Sequence, residues 1–315
     1  MTSNDAGAEI LRIGSRGSKL ALWQARWVQE RLAALGLPSE IEIIRTTGDK
    51  ITDVPLARLG RAEGVKGLFT KEIEEALLEG RIDLAVHSLK DMPTELPEGL
   101  ALTAVPVRED PRDALVGSAL AGIPHGARVG TSSLRRRAQL KAIRPDLEVA
   151  DLRGNLDTRL RKLDEGQYAA IVVAAAGLKR MGWGQRIAEL LPVEVMCPAV
   201  GQGALAIETR RDGGKGEAAA RRLDDAGTRT AVLAERAVLR ALGGGCQVPV
   251  GAHAAVQEDR LTLRAVVISP EGDVLIHREA AGPAQEPEAV GERLAEELLG
   301  AGARQILEEV YGKPL

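Results

Sequence analysis

Aromatic side chains are scarce in this chain of 315 residues, which holds three Trp, two Tyr and one Phe. Proteins that bind single-stranded nucleic acid usually stack bases on aromatic rings, so this composition disfavours that class. The net charge of −3 gives no overall basic field for nucleic acid or for a membrane surface. The apolar cores must therefore be built from Ala, Leu, Val and Ile.

Cysteine is also rare. Two cysteines do not make a disulfide framework and are typical of a reducing compartment. Residues 1–9 lack the basic and apolar regions of a signal peptide, and no apolar run approaches membrane-spanning length. No metal-ligand spacing is present. We therefore expect a soluble cytoplasmic protein without a metal.

The chain opens with a strand at 11–14, a helix at 19–35 that Ser18 can cap, and a strand at 40–45. This order is typical of an α/β domain, in which ligands gather at the loop before the helix. Arg16 and Ser18 lie in that loop. Taken alone, Arg16 fits an ordinary solvated loop arginine better than a ligand.

A long polar stretch with several glycines, residues 47–67, is predicted to be a functional lid or a disordered loop. A helix at 69–78 and an apolar strand at 82–87 follow. Lys90 and Asp91 come directly after this strand. Such a pair suits a ligand cleft, but it also suits a solvated turn.

A second α/β unit is predicted from its strands at 128–130, 147–152 and 169–175 and its helices at 131–143 and 155–163. Residues 128–162 contain ten Lys and Arg against four Asp and Glu, a local net charge of +6. Arg135 and Arg136 fall in the first turn of a helix, where the helix dipole disfavours cations. Helix N–H groups, hydroxyls and guanidinium groups together would make an anion site. Ordinary helix surface is predicted for Arg137, Lys141, Arg161 and Lys162.

The last part of the chain is predicted to be a small α+β domain. A strand at 204–208 is expected to return to the first sheet, and helices at 216–224 and 228–242 follow. Strands at 250–257, 261–268 and 274–279 and helices at 286–299 and 302–311 complete the pattern.

The run Gly-Gly-Gly-Cys-Gln-Val-Pro at 243–249 sets Cys246 on a glycine-rich loop. An accessible thiolate there suits covalent chemistry, whereas a buried thiol would be a small apolar group; position alone leaves both open. A cysteine hydrolase would need a histidine partner, and the nearest candidate, His253, fits a structural role better. Cys197 is predicted to be a buried thiol, and His125 and His277 to be surface residues.

Five motifs occur in a fixed order: His-Ser-Leu-Lys-Asp-Met-Pro at 87–93, Gly-Thr-Ser-Ser-Leu-Arg-Arg at 130–136, Leu-Arg-Gly-Asn at 152–155, Ala-Gly-Leu-Lys-Arg at 176–180 and the glycine–cysteine run at 243–249. Together they closely resemble the porphobilinogen deaminase family. The segment at 16–24 also fits, with Lys19 where the family more often has proline. The resemblance runs from about residue 10 to the C-terminus.

The resemblance implies an α/β fold of three domains. The first two would be doubly wound sheets, like those of periplasmic binding proteins, with a cleft between them. The third would be a small α+β domain that carries the cysteine loop. The implied boundaries are 10–105 with 201–224, 106–200, and 225–315.

The resemblance also implies an activity, the head-to-tail joining of four porphobilinogen molecules with release of ammonia, followed by hydrolysis to hydroxymethylbilane. A dipyrromethane cofactor would be attached to Cys246 by a thioether. Loss of ammonia makes an electrophilic azafulvene, and positive charge develops on pyrrole nitrogens. The matching carboxylate, Asp91, would stabilise this charge and could transfer protons.

Site residues follow from the same motifs. The implied cofactor ligands are Ser88, Lys90, Asp91, Thr131, Ser133, Arg135 and Arg136. The implied ligands of the substrate carboxylates are Arg16, Ser18, Arg153, Arg159 and Arg180. The implied partner is the small-molecule substrate alone, without nucleic acid or membrane, and the protein would be a monomer.

A non-catalytic protein that binds small anions, of the periplasmic type, is the alternative function. The expected lack of a signal peptide and the presence of a third domain with a glycine–cysteine loop argue against it. A covalently attached pyrrole would decide between the two.

Overall fold

The computed structural model describes residues 9–50, 68–244 and 248–312. Cys246 and most of the predicted lid at 47–67 lie outside these ranges. The described start of that stretch is a short helix, Thr47–Lys50, where a loop was predicted. Across the described ranges, no helix is long and apolar enough to cross a bilayer.

The strands in the described ranges form three separate sheets. In chain order they are β1 (Leu11–Ser15), β2 (Ser39–Ile43), β3 (Leu84–Ser88), β4 (Leu100–Ala104), β5 (Asp113–Val116), β6 (Arg128–Gly130), β7 (Glu148–Ala150), β8 (Ala170–Ala174), β9 (Ile187–Leu191), β10 (Leu205–Arg210), β11 (Val250–Gln257), β12 (Arg260–Ile268) and β13 (Leu275–Pro283).

Helices cover the faces of these sheets. They are α1 (Lys19–Ala34), α2 (Thr47–Lys50), α3 (Lys71–Leu78), α4 (Leu134–Ile143), α5 (Leu156–Asp164), α6 (Ala175–Arg180), α7 (Lys215–Arg221), α8 (Ala226–Ala241), α9 (Pro287–Leu298) and α10 (Arg304–Tyr311). A π turn at Leu299–Ala303 joins α9 to α10.

Side-chain caps explain why several helices begin where they do. The hydroxyl of Ser18 accepts a hydrogen bond from the Ala21 N–H at 3.3 Å, at the start of α1. The hydroxyl of Ser133 does the same for the Arg136 N–H at 3.4 Å, at the start of α4. Each cap satisfies a backbone donor that the first helical turn leaves unpaired. The predicted capping role of Ser18 is thus confirmed.

The first sheet has the order β2-β1-β3-β10-β4. Strand β1 runs parallel to β2 and β3, whereas β10 runs antiparallel to β3 and β4. Helices α1 and α7 pack on one face and α3 on the other. The position of β10 confirms that the chain returns to the first sheet after the second unit.

The second sheet repeats this pattern in the order β7-β6-β8-β5-β9. Strand β6 is parallel to β7 and β8, and β5 is antiparallel to β8 and β9. Helices α5 and α6 cover one face and α4 the other. The sequence analysis missed β4, β5 and β9, which are four or five residues long. Runs this short carry little periodic signal.

The third sheet, β11-β12-β13, is antiparallel throughout. Its core is formed by α8, α9 and α10 packed on the strands, with Val238, Leu263, Leu294 and Leu307 among the buried residues. The three sheets and their helices confirm the predicted fold class, which is two doubly wound α/β sheets and a smaller α+β unit. The residue boundaries assigned to the domains remain a prediction.

Candidate active site

Two sheet edges supply the predicted site residues. Parallel strands β1 and β3 end at Ser15 and Ser88 on the first sheet, and β6 and β8 end at Gly130 and Ala174 on the second. Most of the predicted ligands lie at these ends or in the segments that follow them, and Arg153 and Arg159 follow β7. Ligands of open α/β sheets bind at the carboxyl ends of the strands, near helix N-termini.

Lys90 and Asp91 lie in a 3-10 turn, Leu89–Asp91, that directly follows β3. Their predicted position directly after the strand is therefore confirmed. In the described ranges neither side chain forms an ion pair, with the other or with any third residue. Ser88, just before the turn, accepts a hydrogen bond at 2.9 Å from the buried amide of Gln24.

Arg135 and Arg136 are buried in the first turn of α4, only 3% and 5% exposed. Both guanidinium groups pair with Asp113, whose carboxylate is fully buried at the start of β5. Burial alone would raise the pKa of Asp113, but the two guanidinium groups hold it well below the usual range. The neighbouring Thr131 is buried, and its hydroxyl accepts from the Ser133 N–H at 3.3 Å.

Electrostatic effects connect the two edges. Burial lowers the pKa of Lys90 to about 8, and repulsion from Arg136 contributes, while Asp91 and Asp113 oppose the shift. Burial likewise lowers the pKa of Arg159 to about 10, with repulsion from Arg136 and Arg153 and an opposing effect of Asp91. Side chains that perturb one another in this way lie close together.

The group defined by these interactions will be called the cationic cluster. It comprises Lys90, Asp91, Asp113, Arg135, Arg136, Arg153 and Arg159. Five cations face two carboxylates, so the cluster carries an excess of positive charge when all groups are ionised.

Three predicted substrate ligands make other contacts. The Arg16 guanidinium lies over the ring of Phe69, 4.2 Å from its centre. Ser18 caps α1. Arg180, 8% exposed, donates to the Gly203 carbonyl at 2.6 Å, and burial lowers its pKa to about 10.

Sequence reasoning did not find Asp113 or Gln202. Gln202 is fully buried, and its side chain reaches both Asp113 and Arg136. Asp113 stands in no recognised motif; its one local signal is an acidic residue at the start of the apolar run Ala114–Val116. Gln24, which contacts Ser88, is the last residue of the segment 16–24, and nothing in its sequence context indicated a site role.

Comparison with known families decides what this site belongs to. Residues 11–218 match the model described as the dipyrromethane cofactor binding domain of porphobilinogen deaminase. Residues 229–300 match the C-terminal domain of the same enzyme. The chain belongs to the porphobilinogen deaminase family.

Relatives within the porphobilinogen deaminase family cover nearly the whole chain. The porphobilinogen deaminase of Syntrophobacter fumaroxidans is 52% identical over 307 residues, 96% of this chain and 98% of the relative. That of Syntrophotalea carbinolica is 55% identical over 305 residues, 95% and 96% of the two chains. A periplasmic substrate-binding protein of an ABC transporter from Coxiella burnetii aligns with a TM-score of 0.41 at 12% identity, covering 68% of this chain and 92% of that one.

The family's cofactor domain binds dipyrromethane, and the cationic cluster fits such a group. Each ring derived from porphobilinogen carries two carboxylates, so the group is strongly anionic. The buried Nε atom of Arg135 has no hydrogen-bond partner in the described ranges, and the Lys90 ammonium makes no ion pair there. Arginine and lysine with unused donors are what several carboxylates require.

Of the two cysteines, Cys197 is among the residues that the structure describes and Cys246 is not. Cys246 lies between α8 and β11 in the sequence. Cys197 is 1% exposed, and burial raises the pKa of its thiol to about 12. A thiol that stays protonated is a poor nucleophile, so the prediction that Cys197 is an ordinary buried thiol is confirmed. His125 and His277 are exposed, as predicted.

Proposed function

We propose that this member of the porphobilinogen deaminase family is a hydroxymethylbilane synthase, a transferase that joins four porphobilinogen molecules head to tail. Ammonia is released at each step, and the product is hydrolysed to hydroxymethylbilane. The observation that carries the proposal is the cationic cluster around Asp91. It combines many sites for carboxylates with one carboxylate that makes no ion pair among the described residues.

The dipyrromethane is attached to Cys246 in this proposal, and it supplies the free pyrrole carbon to which the first substrate is joined. The neighbouring helix α8 supports this assignment. From α8, the Nη2 atom of Arg236 donates to the carbonyls of Pro93 and Thr94, at 2.7 and 3.1 Å. These carbonyls follow Asp91 closely, so the helix before the cysteine loop packs beside the catalytic turn.

The residues around the cluster have two binding roles. Carboxylates of the cofactor bind Lys90, Arg135 and Arg136, with hydroxyls from Ser88, Thr131 and Ser133. Carboxylates of the substrate and of the growing chain bind Arg16, Ser18, Arg153, Arg159 and Arg180. The planar, permanently charged guanidinium group suits this task because it binds carboxylates through two donors at once.

Asp91 is the catalytic residue in this mechanism. Its carboxylate would stabilise the positive charge that develops on pyrrole nitrogens and would hold or release a proton there. Lys90, in the same turn, would bind a carboxylate instead. Both side chains are half-buried, and the partial exclusion of water strengthens both interactions.

The cellular setting is part of the proposal. We place the enzyme in the cytoplasm as a monomer. The resemblance to the family supports the monomer, and the low cysteine content supports a reducing compartment.

Intact mass of the purified protein tests the proposal. The wild-type chain should exceed its sequence mass by one dipyrromethane. Cys246→Ser should remove both the added mass and the activity, whereas Cys197→Ser should keep both. An active enzyme with an unmodified Cys246 would contradict the proposal, and so would a chain that binds porphobilinogen without ever releasing ammonia.

A further inference from the structure

Asp113 accepts three side-chain hydrogen bonds, although no motif includes it. Its Oδ2 atom accepts from Arg135 Nη1 at 2.8 Å. Its Oδ1 atom accepts from Arg136 Nε at 2.9 Å and from Gln202 Nε2 at 2.8 Å. One fully buried carboxylate therefore orients both guanidinium groups.

The strand order explains how Asp113 reaches them. Strand β5 runs antiparallel to β8, and Asp113 is paired with Ala174 at the end of β8. The first residue of β5 therefore lies at the edge where the parallel strands end, against the first turn of α4.

The two arginines need such a partner. They are adjacent, buried and of like charge, and the N-terminal dipole of α4 disfavours both. In the described ranges Asp113 is their only ion-pair partner. A buried charge without a partner would be strongly unfavourable, so the pose of both side chains depends on this carboxylate.

Gln202 in turn fixes Asp113. Its amide nitrogen also donates to the Pro111 carbonyl at 2.7 Å, and its oxygen accepts from Arg136 Nη2 at 3.2 Å. The amide thus holds the acid and one of its arginines in a single network that is closed to solvent.

We propose that Asp113 is a positioning residue of the cofactor site, which orients Arg135 and Arg136 for the carboxylates of the dipyrromethane, with Gln202 as its support. The inference rests on the proposed function. Asp113 acts through the two arginines and does not itself touch cofactor or substrate.

The direction in which one substitution changes the loading rate separates a positioning role from a simple effect of net charge. Asp113→Asn raises the net charge of the cationic cluster by one. If net charge governed the site, the variant would take up anionic pyrroles faster. If orientation governs it, uptake becomes slower, because the arginines lose their common acceptor.

The experiment measures loading of the full-length apo-protein with porphobilinogen, followed by intact mass and normalised to folded protein. Asp113→Asn should load on the order of 10-fold more slowly or worse, the effect of losing a buried charge-assisted contact. Asp113→Glu, which keeps the charge, should recover part of the rate. Asp110→Asn is the matched control: Asp110 is a poorly exposed acid that pairs with Arg112 and Lys179 outside the cluster.

A second variant guards against misfolding. Gln202→Met keeps the Asp113 charge but removes its support, and should slow loading several-fold. The inference is overturned if Asp113→Asn and Gln202→Met both load at the wild-type rate. It is also overturned if, at an equal loss of melting temperature, neither variant loads more slowly than Asp110→Asn. A wild-type chain that takes up no pyrrole would instead overturn the proposed function.

Discussion

Arg108 and Glu235 form a buried two-pronged ion pair: Nη1 lies 2.6 Å from Oε1, and Nη2 lies 3.1 Å from Oε2. Arg108 lies in the crossover from the first sheet to the second, and Glu235 is fully buried in α8. The same carboxylate accepts from the N–H groups of Gly201 at 2.7 Å and Ala254 at 2.8 Å. One side chain thus joins both crossovers to the third sheet.

Arg108→Met should therefore destabilise the fold by about 3–5 kcal/mol, because it leaves the buried Glu235 carboxylate without its cation. Denaturant unfolding measures the loss. Glu292→Ala is the control, since Glu292 pairs with Arg240 at 3.0 Å where both side chains are about half exposed. Such a pair contributes less than about 1 kcal/mol. Equal denaturation midpoints for Arg108→Met and Glu292→Ala would show that the buried ion pair does not stabilise the crossovers.

Asp91→Asn should fold and should lose turnover by on the order of 10²–10³ or more, because it removes a charge positioned to stabilise a cationic pyrrole. Asp91→Glu keeps the charge but moves it by one methylene, and should leave a small residual activity. It should also accumulate partly elongated chains, visible as a ladder of masses on Cys246. Single-turnover rates and melting temperatures, measured side by side, give the result.

A turn-stabilising role for Asp91 predicts a different outcome. Both variants would then lose melting temperature, and turnover per folded molecule would stay close to that of the wild type. An Asp91→Asn enzyme with near-normal rates would end the catalytic assignment.

Local signals explain which parts of the fold could be predicted. Apolar periodicity and a capping hydroxyl define α1, so the role of Ser18 could be read directly from the sequence. Helix α4 begins at Leu134, three residues later than predicted, and Ser133 is its cap. The return of β10 to the first sheet was predicted from the order of the elements, and the family resemblance gives the reason for it. Lys90 and Asp91 were predicted to follow β3 directly, but the 3-10 form of the Leu89–Asp91 turn could not be predicted, because a 3-10 turn of three residues has no period of its own.

The cationic cluster also contains residues that the sequence could predict and one that it could not. Its members on motifs could be proposed from the sequence, and their proximity agrees with that proposal without testing their roles. Asp113 could not be proposed from the sequence, because it meets Arg135 and Arg136 only when β5 packs against α4 in the fold. Burial of a charged residue is a tertiary property, and a single acid at a strand start looks the same whether it faces water or two arginines.

Lys90 should give the apo-protein a pH-dependent loading rate. Burial and repulsion from Arg136 lower the pKa of Lys90 from its ordinary value of 10.5 to about 8, so the ammonium is charged below that pH and neutral above it. Loading with porphobilinogen should therefore fall as pH rises through about 8, when the cofactor carboxylates lose a cationic partner. Lys90→Arg should shift the fall to higher pH, because guanidinium stays charged.

Initial rates of mass gain between about pH 6.5 and 9.5 measure this effect. Lys141→Arg, a substitution at the predicted helix surface, should keep the wild-type profile. If Lys90→Arg also keeps the wild-type pH profile, the fall in loading rate has another origin and Lys90 is not the group that titrates.

Lys19 and Asp157 join the first and second units across the cleft, with Nζ and Oδ2 3.0 Å apart. Lys19 begins α1, at the position where the family more often has proline, and Asp157 lies in the first turn of α5. The hydrogen bond from Lys19 is the main cause that lowers the pKa of Asp157, so this carboxylate stays charged at neutral pH. The contact should favour the closed cleft.

Because Lys19 is 72% and Asp157 38% exposed, the coupling should be small, about 0.2–1 kcal/mol at low salt, and should vanish at high salt. A double-mutant cycle of Lys19→Ala and Asp157→Asn on kcat/KM for porphobilinogen measures it. Lys19→Pro, which restores the residue more usual in the family, should behave like Lys19→Ala, since proline has no charge to offer Asp157. If the coupling were zero at low salt, or independent of salt, the contact would not bias the cleft, and Lys19 would be a neutral replacement at a helix start.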